Sequence, residues 1–238
     1  MAVYIFSDAH LGGGTPSEEA IKRAKLEQLF QMVESEASRL IILGDLFDFW
    51  FEYRHTIPKG YHWILSRLFE LRQKGIQIDY VSGNHDFWMG DFFQTELGVA
   101  VHRDILNTDI NGRRVHLIHG DGLAQSDWGY RILKRILRNR FNVWLYRKVP
   151  SDWAFALALR VSRGSRAHTS VREQSFVADY ERYAIGKLKE GFAVVFIAHL
   201  PQPIRVDHEN GVYINTGDFI SHFSYVRIDQ DRIELLSV

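Results

Sequence analysis

Residues 40–51 read Leu40-Ile41-Ile42-Leu43-Gly44-Asp45-Leu46-Phe47-Asp48-Phe49-Trp50-Phe51. A short apolar run of this kind suits a strand buried on both faces, and the glycine after it lets the backbone turn tightly and approach a site closely. Asp45 is then delivered at the strand's carboxyl end. The same pattern recurs outward along the chain. Val3-Tyr4-Ile5-Phe6 leads to Asp8 and His10, and the run before residue 82 leads to Gly83-Asn84-His85-Asp86. Residues 114–118 lead to His119-Gly120-Asp121, and Val194-Val195-Phe196-Ile197-Ala198 leads to His199. Strands are therefore expected over 2–7, 39–43, 76–81, 114–118 and 193–197, with β-rich segments near 203–207, 211–215 and 223–237. Between them Thr15-Pro16-Ser17-Glu18 supplies a capping box and a proline at the first helical position, so a helix should run to about residue 37. A second is expected over 58–74, ending at Gly75. Short buried strands alternating with amphipathic helices indicate an α/β fold. Ligand sites in such folds form at the carboxyl ends of strands, so five ends that present Asp, His or Asn read as one site.

Composition narrows the chemistry. The 238 residues allow one sizeable core, and a single domain over 1–238 is expected. Lys plus Arg and Asp plus Glu both number 29, which leaves no overall cationic field to gather nucleic acid, and no nucleic-acid partner is expected. The absence of Cys removes disulfides, thiolate metal sites and cysteine nucleophiles, so any metal must sit on His, Asp, Glu or Asn. The first apolar stretch reaches Ser7-Asp8 too soon for a signal peptide. No run approaches the roughly 20 apolar residues of a membrane-spanning helix. A cytoplasmic protein, soluble or peripheral at the inner membrane face, is the expectation.

Residues 128–166 stand apart, with ten Lys or Arg against one acid, Asp152, interleaved with Trp128, Trp144, Trp153 and many Leu, Ile and Val. Two readings are open. One is an amphipathic helical hairpin with a solvated basic face. The other is a cap over an acidic, partly apolar substrate, or an element that lies on a membrane surface.

Asp8 and His10 occupy alternate positions of an extended chain, which puts both side chains on one side. A carboxylate at Asp45 can bridge two ions, one on each oxygen. Mixed oxygen and imidazole donors suit Mn, Fe, Zn or Co better than Ca or Mg. In this order the motifs resemble those of the calcineurin-like metallophosphoesterases, which read D-x-H, G-D-x-x-(D), G-N-H-(D/E), a histidine among small residues, and G-H-x-H. The resemblance spans residues 8 to about 218 and implies a four-layer α/β/β/α sandwich with two divalent metal ions, Mn2+ being the expected metal. It would place Asp8, His10 and Asp45 on the first ion, and Asp45, Asn84, His119 and His199 on the second. His85 would contact phosphate or protonate the leaving group, with Asn84 beside it in the catalytic pair.

The last motif departs from the family. Ala198-His199-Leu200-Pro201 stands where G-H-x-H is expected. If Ala198 replaces the small glycine, His199 is the first histidine and Pro201 replaces the second, a ligand of the first ion. In the other register His199 is the second histidine and Ile197 replaces the first. His222 and His102 are conceivable substitutes for the missing imidazole.

Within the family, residues 44–51, Gly83-Asn84-His85-Asp86-Phe87-Trp88-Met89, His119-Gly120-Asp121-Gly122 and Asn215-Thr216-Gly217-Asp218 are most similar to bacterial UDP-2,3-diacylglucosamine pyrophosphohydrolases. Those enzymes release lipid X and UMP during lipid A synthesis and carry a helical cap after H-G-D, where residues 123–170 fall here. The best-known branch has G-N-R-D where this chain has His85. The resemblance implies a phosphorylated lipid or nucleotide-sugar substrate. It makes Asn84, His85, Asp127, Tyr130, Arg163 and Arg166 candidates for substrate contact, and gives the basic and apolar cap a membrane-surface role. The alternatives are another phosphodiesterase or phosphatase acting on a nucleotide or sugar phosphate, and a catalytically impaired homologue that has lost one metal-binding histidine.

Overall fold

The computed structural model describes residues 2–124 and 127–238, the side chains of 161–175 excepted. In chain order its elements are β1 (Ala2–Phe6), α1 (Pro16–Glu36), β2 (Ala37–Ile42), α2 (His62–Gln73), β3 (Gln77–Val81), α3 (Phe92–Thr95), β4 (Ala100–His102), β5 (Ile105–Ile110) and β6 (Arg113–Ile118). After them come α4 (Trp128–Leu137), α5 (Arg140–Tyr146), α6 (Ser151–Lys189), β7 (Val194–Ile197), β8 (Ile204–His208), β9 (Gly211–Asn215), β10 (Ser224–Ile228) and β11 (Ile233–Ser237).

The strands form two sheets, ordered β11-β10-β1-β2-β3-β4 and β5-β6-β7-β9-β8. Side chains of a strand point alternately to its two faces, and this alternation sorts the core into three clusters. Tyr4, Phe6, Leu40, Ile42, Ile78 and Tyr80 face outward onto Leu26, Phe30 and Val33 of α1 and Leu68 and Leu71 of α2. Val3, Ile5, Ile41 and Val81 face inward and meet Val115, Leu117, Val194, Phe196 and Ile214 of the second sheet. The outer face of that sheet, through Val195, Ile197 and Tyr213, packs on Phe176, Tyr180, Ala184 and Leu188 of α6. The layers run helix, sheet, sheet, helix, as the fold class required.

Local signals explain most element ends. Thr15 and Glu18 form the reciprocal capping box at the start of α1. The helix expected from residue 58 begins only at His62, because Gly60 takes φ +100°, a conformation no helix contains. Strands β4 and β5 were not expected. They supply edge strands of the two sheets, and polar residues interrupt β5.

Between β6 and β7 the chain passes through α4, α5 and α6. Asn139 separates the first two, accepting a hydrogen bond from Phe141 N–H at 2.9 Å as the cap of α5. The long α6 continues past residue 170 to Lys189, so the helix of this insertion also becomes the fourth layer. Among the described residues no helix is long and apolar enough to cross a membrane.

Candidate active site

The carboxyl ends of β1, β2 and β3 in one sheet and of β6 and β7 in the other open onto a common edge. Backbone hydrogen bonds stitch the loops that leave them. Asp8 N–H donates to Gly44 O at 3.1 Å and His10 N–H to Asp45 O at 2.9 Å. Within the second sheet, Ala198 N–H donates to His119 O at 2.9 Å.

Asp45 is the hub. Its Oδ1 accepts the backbone N–H of His85 at 2.9 Å, while Oδ2 faces three imidazoles. His119 Nε2 lies 3.2 Å from that oxygen, His10 Nε2 3.7 Å and His85 Nε2 4.0 Å. His10 Nε2 is also 3.7 Å from Asp8 Oδ1, and His119 Nε2 is 3.1 Å from Asn84 Oδ1. Two sets of ligand atoms result, His10 with Asp45 and His85, and Asp45 with His119 and His199, each mutually within 4.8 Å. Oδ2 is the oxygen turned to all three imidazoles, whereas the bridging expected from the sequence used one oxygen per ion. Separations of 3.7–4.0 Å are too long for hydrogen bonds. They approach the roughly 3.0–3.5 Å between neighbouring ligands around an ion with bonds of about 2.1 Å. The donor set of carboxylate, amide oxygen and imidazole therefore fits divalent transition metals.

The residues around the ligands hold them in unusual conformations. Asp8, His10, Asp45 and His199 have φ of +54°, +43°, +53° and +71°, values that side chains with a Cβ seldom adopt. Buried Lys22 of α1 steadies this loop, its Nζ donating to Ala9 O at 3.1 Å and His10 O at 2.8 Å. A Cβ on Gly83 would overlap the Asp45 carboxylate, so glycine there is a steric requirement. His119 Nδ1, 2.9 Å from Leu43 O, donates its proton to that carbonyl and leaves Nε2 for the site.

Charge at the site is coupled to metal. Burial opposes protonation of His10 and His119, but the surrounding carboxylates prevail. Asp48, Asp8 and Asp45 raise His10 to about 9, and Asp45 foremost raises His119 to about 10. Burial and the neighbouring His119 hold His199 down at about 4, and burial likewise lowers His85. Burial acts to raise Asp45, yet His119 and His85 hold it well below the ordinary carboxylate range. Metal binds imidazole only without its proton, so ions must displace protons from His10 and His119. Titrating the metal-free protein with Mn2+ at pH 7, in buffers of different ionisation enthalpy, should show about one proton released per ion. Affinity at each site should rise about tenfold per pH unit below pH 9 and level off once both imidazoles are neutral. Uptake that is independent of pH would contradict these ligands.

Beside the site, Asp48, Asn84 and His85 border a cavity of about 260 Å³ whose remaining wall is apolar and aromatic except for Asn142. Phe49, Phe51 and Trp88 line it together with Tyr130, Leu133, Ile136 and Leu137 of α4, Tyr146 of α5 and Leu157 of α6. The helices are fastened over it. Asp121, two residues after His119, pairs with Lys134 at 2.8 Å and Arg138 at 3.2 Å and accepts Tyr130 Oη at 3.1 Å. Trp88 Nε1 donates to Leu137 O at 3.1 Å. Phe51 meets Tyr146 and Phe49 meets Phe155 at ring separations of 4.8 and 5.0 Å.

Of the residues singled out from sequence, Asp8, His10, Asp45, Asn84, His85, His119 and His199 converge. Tyr130 borders the cavity, whereas Asp127 stands just before α4 and is not part of the cavity wall described. Arg163 and Arg166 lie outside the residues whose side chains are described. His222 pairs with Asp218 and His102 with Asp79, and neither joins the two ligand sets. Sequence reading passed over Asp48, although it is the second aspartate of G-D-x-x-D. It also passed over Lys22, for which a helix pattern carries no signal, and over the anchoring role of Asp121.

Residues 1–203 match the family model of the calcineurin-like phosphoesterases. The chain is 34% identical to a UDP-2,3-diacylglucosamine hydrolase of Porphyromonas gingivalis, over 69% of this chain and 63% of that protein. It is 30% identical to the enzyme of that name from Aeromonas salmonicida, over 85% of this chain and 78% of the relative. A Vibrio vulnificus relative of the same name is 26% identical over 99% of this chain and 97% of its own length. Among solved structures, an archaeal phosphodiesterase superposes over the whole of both chains with a TM-score of 0.50 at 13% identity, a likeness of fold.

Proposed function

Because the chain belongs to the calcineurin-like phosphoesterases, metal-dependent hydrolases of phosphoric esters and anhydrides, we propose that its substrate is UDP-2,3-diacylglucosamine. Water would split the P–O–P bond of the diphosphate to give UMP and lipid X, a step of lipid A synthesis. The observation that carries this reading is the continuity of the ligand cluster with an apolar cavity at Asp48, Asn84 and His85. An apolar wall of this extent beside the reacting centre suits a substrate that carries long hydrocarbon chains. We assign one metallophosphoesterase domain in which the helices after His119 act as a cap.

The metal pair, Mn2+ in this reading, would supply Lewis-acid charge for the phosphoryl oxygens and acidified water at neutral pH. The first ion would rest on Asp8, His10 and Asp45, and the second on Asp45, Asn84, His119 and His199. Asn84 also lines the cavity, where its amide can orient a phosphoryl group. The walls of the cavity would sheath an acyl chain and exclude water from it.

The outer face of the cap favours contact with an anionic lipid surface. Trp153, Trp128 and Phe141 are 77%, 70% and 65% exposed, in a stretch where Arg and Lys far outnumber acids. Such a face joins apolar insertion to attraction for lipid phosphate, so peripheral attachment would bring the site to a substrate held in a bilayer.

The test is direct. Protein loaded with Mn2+ should convert UDP-2,3-diacylglucosamine to UMP and lipid X, read by chromatography with mass detection. Hydrolysis of cyclic or simple nucleotides with no action on the lipid would replace this substrate with a nucleotide.

A further inference from the structure

His85 does not sit as a group aimed only at substrate would. Its Nε2 is directed toward the same Asp45 oxygen as that of His10, at 4.0 and 3.7 Å, and the two rings stand perpendicular with centroids 4.6 Å apart. Both nitrogens are beyond hydrogen-bond reach of the carboxylate. A contraction of about half an ångström would bring them to the spacing of neighbouring ligands on one ion.

The far nitrogens of the two rings carry the second observation. His85 Nδ1 lies 2.8 Å from Asp48 O and so donates its proton there, which leaves the lone pair on Nε2. His10 Nδ1 lies 3.6 Å from a carboxylate oxygen of the same Asp48. The hold on His85 is that of an ordinary ligating histidine, its outer nitrogen tied to a carbonyl, whereas His10 Nδ1 only faces the Asp48 carboxylate beyond hydrogen-bond reach. His119 is held as His85 is, by Leu43 O at 2.9 Å.

A third observation comes from the end of β7. His199 stands with His119 and Asp45 on the second-ion side, and the next position that could reach the first ion is Pro201, which has no donor. The first set thus lacks an imidazole from β7 and contains an additional one from the loop after β3.

We propose that His85 is a ligand of the first ion, which is held by Asp8, His10, Asp45 and His85. The nitrogen absent at Pro201 is supplied from a different strand, and the chain keeps two complete metal sites. This rests on the metal-dependent reading of the site and is independent of which phosphoester is cleaved.

The experiment is Mn2+ binding without substrate, followed by calorimetry and by the electron paramagnetic resonance of free ion. Wild type should bind two ions, and His119→Ala should retain one, at the first site. Adding His85→Ala to that variant should weaken the remaining ion by at least about 100-fold, more than the 10–100-fold expected for loss of an outer-sphere partner. His85→Ala alone should keep the second ion within about threefold of wild-type affinity. If His85→Ala binds two ions as tightly as wild type, His85 is a substrate contact or proton donor and the ligand assignment is overturned. Should the variants fail to fold, long-range 1H–15N spectra of wild type during Zn2+ titration decide the matter. The His85 Nε2 resonance should move in step with one equivalent of metal, and a resonance unmoved through two equivalents overturns the proposal. A wild type that takes up no ion overturns the metal-dependent reading as well, and is thereby told apart from failure of the ligand assignment alone.

Discussion

Asp45→Asn should empty both metal sites at once and lower hydrolysis by at least about 1,000-fold, the largest effect expected of any single substitution in this chain. The change keeps the shape of the side chain and an oxygen to accept the His85 N–H. It replaces Oδ2, or its charge, at the point where His10, His85 and His119 converge. The second ion would then face only neutral donors, and the first would keep Asp8 as its one remaining anionic ligand, too little to hold it tightly. Removing His199 should act on the second ion only, because that ring belongs to one ligand set. Metal content by elemental analysis and turnover on the same sample provide the check. A variant that retained two ions would show that Asp45 is not shared.

The second large effect lies in the substrate. The metal cluster would serve many phosphoesters, so discrimination must come from the apolar chamber of about 260 Å³ under α4, α5 and α6. UDP-2,3-diacylglucosamine should be hydrolysed two to three orders of magnitude better than UDP-N-acetylglucosamine, which has the diphosphate without the long chains. Each buried methylene contributes about 0.8 kcal/mol, so four to six sheathed methylenes supply roughly 3–5 kcal/mol. Shortening the chains should therefore lower kcat/KM progressively. A cap that reads only phosphate charge would show no dependence on chain length and would instead weaken with salt. Detergent must stay below its micelle concentration, since micelles compete for the chains. Equal rates on the two substrates would remove the lipid from the assignment.

The two sheets and the convergence of their ends were legible because the strands are buried on both faces. Leu40-Ile41-Ile42 and Val194-Val195-Phe196-Ile197 announce themselves as apolar runs, and the residues leaving each run must lie at the same edge. β5 was not legible because Asn107, Thr108 and Asp109 break its apolar pattern. Its place depends on pairing with β6, which no local signal encodes. The residue types of the site were readable from the motifs, but their partners were not. Nothing along the chain indicates that Asp45 gives one oxygen to a backbone N–H, or that Lys22, in the middle of a charged helical stretch, would be buried under His10. The cap was readable as basic and apolar. That Asp121 would draw Lys134 and Arg138 down beside His119 depends on a helix register fixed only in three dimensions.

The left-handed backbone at Asp8, His10, Asp45 and His199 has an evolutionary consequence. Each such residue is held against a conformational preference of about 1–3 kcal/mol, so at these four positions the sequence is not the most stable one for the fold. Glycine would relax every one of them. A lineage or a laboratory selecting for heat resistance alone would drift toward glycine at these sites and become sturdier as it ceased to work. Asp and His at all four positions thus set chemistry above durability. A homologue that carries glycine there has been released from selection for chemistry, however closely the rest of its chain agrees.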